Sequence, residues 1–507
     1  MKKILVPFSI TSLLLFVVLF VTSCEKKDEP VADTVNAVSQ FVYDGMSVLY
    51  LWNDEVNGRK PTANDTDPKK YFQRILNKTD TEHGWSWITD DAEELKAEFD
   101  GEPKTFGYHY SGSFFLPANV EKTEFYYIIG YVYPSSPAAN AGLKRLDLIG
   151  KINGQPITND NYRILFGDSP ASFSIYKLTE NGIVHDREER LAPVSIQTNP
   201  VLFDEIYTVG DKKIGYLFYT SFISNFNQQL FDVFNKFKQA GVTDLVLDLR
   251  YNPGGDISAA TYLASMIAPL SEVRQKPVFT KLAWNKDIGE NKEYLGVYTE
   301  KDSLENGKLV KKAEPNPIEA NLDLSNVYII ATPDSYSASE LITFCLRQFV
   351  NVMHIGGKTG GKYTASITIH PYDHNLGYPL YPEIYPRKVL SSEKKHILKN
   401  WAMQPIVAKY TDNKGNDFIA TDGLIPDKAL DEGFGYIDHW VPIGDTKDTF
   451  LGQAIYMITG DENYKPVNVK TRNAAMKSLR SANFKQFPIP KDFRKEAVIL
   501  DNFKLER

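Results

Sequence analysis

Cysteine is nearly absent from this chain. Cys24 and Cys345 are the only two among 507 residues, so neither a disulfide framework nor a cysteine-built metal cluster can be assembled within one copy. A basic excess is missing too. Lys and Arg number 57 against 64 Asp and Glu, a net charge of -7, and nucleic acid is not an expected partner without positive surface to neutralise phosphates. No Gly-x-Ser-x-Gly elbow and no His-Glu-x-x-His occurs, which removes the signatures of an α/β-hydrolase triad and of a zincin. His370 and His374 are four apart, but Pro371 between them opposes a shared helical face. No metal site and no cofactor is expected. What is present is globular: hydrophobic residues make up 42% and charged residues 24%, enough apolar side chain for real cores. The length predicts about three domains at roughly 100–200 residues each.

The N-terminus reads as an address. Lys2 and Lys3 precede an apolar stretch from Ile4 to Val21, and Val21-Thr22-Ser23-Cys24 follows at once. This resembles the lipobox of bacterial lipoproteins, which implies cleavage before Cys24 and lipidation of its thiol. Several acyl chains would then hold the protein firmly to a membrane. An ordinary secretory signal or a membrane anchor is the alternative. The expectation is a signal peptide over 1–23, a solvated tether over 24–34, and a lipid-anchored protein of the bacterial cell envelope, periplasmic or on the outer-membrane surface.

Residues 35–102 predict a helical unit. Val38, Val42, Met46, Leu49 and Trp52 recur at helical spacing, and Asp67-Pro68 opens a second stretch with Tyr71, Phe72, Ile75 and Leu76 on one face. Stripes of this kind are core, and no chemistry is assigned to them. Over 103–195 the pattern changes to short β-type runs. Tyr126–Tyr133 is followed by Pro134-Ser135-Ser136-Pro137-Ala138-Ala139-Asn140-Ala141-Gly142-Leu143, then by Asp147-Leu148-Ile149-Gly150-Lys151-Ile152-Asn153-Gly154. These residues resemble a bacterial PDZ domain, which implies capture of an extended chain terminus by strand addition, with backbone amides receiving the carboxylate. Phe106, Gly107 and Tyr108 are the candidate carboxylate loop, although Gly107 equally suits a plain turn. Leu146 stands where that family has glycine, so different backbone angles are expected there.

A linker at Pro193–Pro200 leads to a third unit over 200–445. The strand Ile214–Tyr219, a helix with Leu230, Phe234 and Phe237 on one face, and the strand Val242–Leu249 predict a mostly parallel sheet covered on both sides. Chemistry belongs at the carboxyl ends of such strands, and two ends carry suggestive residues. One is Asp248-Leu249-Arg250-Tyr251-Asn252-Pro253-Gly254-Gly255, whose paired glycines suit either exposed amides for an oxyanion or a turn into a helix. The other is Pro333-Asp334-Ser335-Tyr336-Ser337-Ala338-Ser339-Glu340. Ser337 at a helix start suits a nucleophile, and Ser337 with Glu340 also makes a capping box.

The segment Ile355-Gly356-Gly357-Lys358-Thr359-Gly360-Gly361-Lys362-Tyr363 separates these readings. With Ser337-Ala338-Ser339-Glu340 it resembles the C-terminal processing peptidases, or tail-specific proteases, whose catalytic lysine follows the serine by 25 residues, as Lys362 follows Ser337. The likeness extends over the helical leader, the PDZ-like unit, the Asp-Leu-Arg-x-Asn-x-Gly-Gly segment and Gly423-Leu424-Ile425-Pro426-Asp427. It implies a multidomain α/β protein with a crotonase- or Clp-protease-like core, acting as a serine endopeptidase on protein or peptide substrates. Ser337 would be the nucleophile and Lys362 its general base. The amides of Ala338 and of Gly254 or Gly255 would form the oxyanion hole. An ammonium with a pKa near ~10.4 cannot accept a proton at neutral pH, so Lys362 must be desolvated.

Two departures stand out: Ser366 replaces the usual lysine-orienting glutamine, and Tyr363 replaces a glycine. Glu340 is a further candidate support beside its capping role. Lys358-Thr359-Gly360 and Ser391-x-x-Lys394 look like penicillin-interacting elements, but in the wrong order. Cys345 reads as a small buried hydrophobe. Residues 446–507 predict a helix capped by Asp448, carrying Leu451, Ile455 and Ile458, and an extension with no readable role. The alternative function is a catalytically inactive binding protein on the same scaffold.

Overall fold

The computed structural model describes residues 35–467, apart from 117–124, 159, 180–181, 299, 306–307, 373–383 and 433–438, together with the strands 483–485 and 498–499. The leader, Cys24, the tether and His374 lie outside the described residues. Helix α1 (Ala37–Leu49) starts where Asn36 accepts hydrogen bonds from the amides of Val38 and Ser39. Helix α2 (Pro68–Ile75) starts at Asp67, with proline in its first turn. The apolar stripes of both point inward and join one large core with the strands and helices further along the chain.

The next unit is antiparallel. Strands β1 (Tyr108–Leu116), β2 (Tyr126–Val132), β3 (Leu148–Ile152), β4 (Ala171–Thr179) and β5 (Gly182–Leu191) lie in that order, around Tyr127, Ile129, Ile149, Ile152, Phe173 and Ile175. Ser136 caps the short helix Pro137–Asn140. The expectation of altered angles at Leu146 is overturned: its φ is +73°, the left-handed conformation a glycine would take. The bond from the Leu146 amide to the Ile129 carbonyl, 2.9 Å, holds the turn in place, and the side chain packs with Ile128 and Leu148. The Pro193–Pro200 segment is zipped down, because Val194–Ser195 pairs with Lys104–Thr105.

The third unit opens with a hairpin of β6 (Val201–Val209), a strand not read ahead of Ile214–Tyr219, and β7 (Lys212–Tyr219). Then β7, β8 (Asp244–Asp248), β9 (Asn326–Ala331) and β10 (Asn351–Gly356) pair in parallel, in that order. Alternate residues face opposite sides. Leu217, Leu245, Leu247 and Ile329 meet helices α3 (Asn227–Ala240), α4 (Ile257–Ile267) and α5 (Ala338–Cys345). Tyr216, Val246, Ile330 and Ile355 meet α6 (Thr449–Thr459), so that helix is part of the core. A second, largely antiparallel sheet, containing Val278–Trp284, Ile406–Asp412 and Thr364–Ser366, has no counterpart in the sequence reading. The core is therefore built on mixed sheets.

A buried charge network fixes the end of β8. Arg250, fully buried, forks onto Asp248 (2.6 Å), Asp448 (2.8 Å) and Glu432 (2.6 Å). Arg145 from the antiparallel unit reaches the same Glu432 at 2.6 Å and the Tyr251 hydroxyl at 2.7 Å. Removing one partner of such a cluster strands buried charge. Arg250→Met is therefore expected to cost about 3–5 kcal/mol, read as a fall in the urea midpoint at unchanged slope.

Candidate active site

Two loops leave the carboxyl ends of β8 and β9, and hydrogen bonds lace them together. Carbonyl oxygens along the first accept from the second: Leu249 from the Ser335 hydroxyl (2.7 Å), Arg250 from the Thr332 hydroxyl, and Asn252 from the Tyr336 amide (3.1 Å) and the Ser339 hydroxyl (2.9 Å). The second loop delivers Ser337 to the start of α5 at φ +61° and ψ -112°, a conformation that costs an ordinary residue on the order of 1–3 kcal/mol. Ser337 is fully buried, and its hydroxyl has no hydrogen-bond partner. Only half of the capping box therefore operates: the Ser337 amide donates to Glu340 Oε2 at 2.9 Å, while the hydroxyl caps nothing.

Glu340 is the hub. Beyond Ser337, its carboxylate accepts from the amides of Gly361 (2.7 Å) and Lys362 (2.8 Å) and from the Thr359 hydroxyl (2.5 Å). One carboxylate thus holds the backbones of Ser337 and Lys362 side by side. The Tyr410 hydroxyl closes the other side, donating to the Lys362 carbonyl (2.7 Å) and lying 3.3 Å from that of Ser337. Lys362 is fully buried, the desolvation that a base of this kind needs. Its Nζ lies 5.9 Å from the centre of the Tyr336 ring. A hydrogen bond between the Ser337 hydroxyl and Lys362 is not formed in this structure.

Burial pushes the Glu340 carboxyl up to about 7 from an ordinary 4.5, against the pull of its four donors. A carboxyl raised on folding stabilises the fold below its unfolded value, and that stability is lost as pH rises through the folded one. At about 1.36 kcal/mol per unit, Glu340 should take about 3 kcal/mol from stability between pH 4.5 and 8. The loss should be absent in Glu340→Gln, as read by urea unfolding at both pH values. Ionisation, which the four donors require, is thus gained at the expense of stability.

The remaining expected residues divide. A side chain on Gly254, which has φ +108°, would meet Ser337 Cβ at 2.7 Å and the Ala338 amide nitrogen at 2.9 Å, so only glycine brings this loop against the serine. The Ala338 amide is the first of α5 and has no acceptor within the helix. The Gly254 amide, however, already donates to Asn252 Oδ1 at 2.9 Å, so an oxyanion there would have to displace that bond. Ser366 is fully buried and accepts from Gln404 Nε2 at 3.1 Å; a glutamine amide thus enters from a neighbouring strand. Tyr363 packs edge-on against Trp85. Gly107 is a forced glycine, with φ +85° and a side-chain position 2.0 Å from Ser136 Cβ, and its amide donates to Thr105 Oγ1. Phe106 and Tyr108 are buried and stacked on each other. Ser391 caps a short helix through the Lys394 amide, and Cys345 is buried with its thiol pushed up by desolvation.

Sequence reasoning missed the contributions from far along the chain. The helical unit, to which it assigned no chemistry, sends Trp85 Nε1 to the Tyr336 hydroxyl at 2.7 Å. It also buries Asp80 on Ser86 and Tyr50 within electrostatic reach of Lys362. Of the missed residues, only Thr359 carried a signal, as the threonine of Gly-x-x-Thr-x-Gly. Its hydroxyl also accepts from the Leu424 amide at 2.7 Å, which ties in the Gly423–Asp427 segment.

Known proteins resemble this chain in sequence and in fold. The family model "Peptidase family S41" matches residues 213–430, and the "Peptidase S41 N-terminal domain" matches 37–87, together more than half of the chain. The "Carboxy-terminal processing protease CtpA" of Bacillus subtilis (strain 168) is 26% identical over 278 residues, 54% of this chain and 52% of that protein. The "Probable CtpA-like serine protease" of Staphylococcus aureus (strain N315) is 25% identical over 276 residues, 54% and 50%. The chain thus spans about half the length of the curated relatives it matches. A solved S41 structure from Bacteroides fragilis NCTC 9343 shares the fold with a TM-score of 0.62 at 24% identity, over 83% of this chain and 97% of that one. A helical leader matched in its own right, and a second match that runs through both laced loops and the hub between them, place the chain in peptidase family S41.

Proposed function

We propose that the chain is a serine endopeptidase working through a Ser337–Lys362 dyad. The observation that carries this reading is Glu340: one buried carboxylate aligns the two backbones while the serine hydroxyl is left uncommitted. The neutral Lys362 amine takes the Ser337 proton as the hydroxyl attacks a peptide carbonyl. The lysine then returns a proton to the leaving amine, and water releases the acyl-enzyme. The Ala338 amide and the Gly254–Gly255 loop hold the developing oxyanion, each donor worth about 10²–10³ in rate. The lysine's four-carbon stem lets Nζ swing onto the hydroxyl when substrate arrives.

The antiparallel unit is read as PDZ-like, presenting unfolded or C-terminal segments to the dyad. Substrates are read as extracytoplasmic proteins, with Cys24 holding the enzyme to a membrane of the cell envelope. The test is digestion of a denatured model protein by the chain, with Ser337→Ala as control. Cleavage by the native chain alone is expected, and equal cleavage by both would overturn the reading.

A further inference from the structure

The chain's own C-terminal segment enters the site. Val498–Ile499 lies between Gly255–Asp256 and Thr364–Ser366 and runs parallel to both: Gly255 pairs with Val498, and Asp256 and Ser366 with Ile499. One partner directly follows Gly254, whose Cβ position lies 2.7 Å from that of Ser337. The other starts two residues after Lys362. Without the tail these two would be unpaired strand edges, which accept an added strand readily.

A second segment of the tail adds elsewhere. Asn483–Lys485 pairs antiparallel with the outer edge of β1, Asn483 opposite Leu116 and Lys485 opposite Phe114. The strand itself thus starts at the Leu116 end of β1 and points along β1 in the direction of Tyr108. A cavity of about 350 Å³, lined by Phe106, Tyr108, Tyr251 and Pro253 among others, lies between the candidate carboxylate loop and the glycine turn. Twelve residues lie between Lys485 and Val498, and the thirteen steps between them span at most ~43 Å at about 3.3 Å each.

We propose that the two tail strands, Asn483–Lys485 and Val498–Ile499, act as a tethered pseudosubstrate. By strand addition they fill both an edge of the substrate-presenting sheet and the strand position beside the dyad, and an incoming extended peptide must displace them. This rests on the reading of Ser337 as the nucleophile. Attachment to the same chain supplies an effective concentration on the order of 1 mM, so a tail of ~0.1 mM intrinsic affinity raises the apparent KM about tenfold.

The test uses the full chain and the full chain with Val498→Pro and Ile499→Pro, since proline removes the amide that strand pairing needs. Hydrogen exchange in the Ser337→Ala background should show the amides of 483–485 and 498–499 slowed at least about tenfold relative to a free peptide of the tail. Kinetics on a fluorogenic peptide should show KM about tenfold lower in the proline variant at equal kcat. Exchange at the free-peptide rate would overturn the placement, and slowed exchange with unchanged KM would overturn the competition. Slowed exchange with no turnover from any Ser337-containing chain would strike the peptidase reading and uphold the strand placement.

Discussion

Ser337→Ala should abolish peptide hydrolysis, by at least about 10⁴-fold in kcat, and leave the thermal midpoint where it was. The loss follows from the role: without the hydroxyl no acyl-enzyme forms, and removal of a serine nucleophile from a preorganised site costs on the order of 10⁶ in kcat in the best-measured case. The unchanged midpoint follows from the geometry. The hydroxyl makes no hydrogen bond, so its removal leaves no partner unsatisfied, and the backbone bonds to Glu340, Tyr410 and Leu341 remain. Ser337→Gly sharpens the point. Glycine accepts φ +61° without strain, so this variant should be equally inactive and more stable by about 1 kcal/mol, the relief of strain less glycine's larger unfolded-state entropy. A serine that merely capped its helix would lose about 1 kcal/mol on truncation to alanine. Calorimetry of the three proteins, beside a turnover assay, reads both outcomes.

Lys362→Ala and Lys362→Arg should both lower kcat by about 10²–10⁴, the range of a general base. The arginine variant is the more informative. It places a cation of similar reach at the same position, but a guanidinium does not give up its proton under these conditions. A lysine needed only for its charge would be replaced by arginine with most activity retained, whereas a lysine that accepts the Ser337 proton would not. Both variants keep the Lys362 main-chain bonds to Glu340 and Tyr410, so native-like circular dichroism should accompany the loss.

The residues proposed to carry the chemistry were legible because they are local. Ser337 with Glu340, Gly254 with Gly255, and Lys362 behind its glycines each sit within a few residues of a strand end, where turn chemistry and helix starts leave a pattern. What was not legible is how distant segments converge. Tyr410 and Gln404 lie on strands whose near-continuous burial carries no functional mark. Trp85 and Asp80 come from a helical unit that reads as ordinary core. Glu340 was legible as a cap, but its grip on Thr359, Gly361 and Lys362 depends on a meeting of β9 and β10 that spacing cannot show. Leu146 shows the converse: a missing glycine suggested altered angles, yet surrounding backbone bonds impose a left-handed turn on leucine.

The central claim is that Ser337 and Lys362 react as a pair, and covalent labelling tests it most directly. A serine-directed peptidyl phosphonate, followed by intact mass and peptide mapping, should add one group to the native chain at Ser337 and none to Lys362→Ala over the same interval. Labelling of the lysine variant at the native rate, or an adduct on any other residue, would contradict the account.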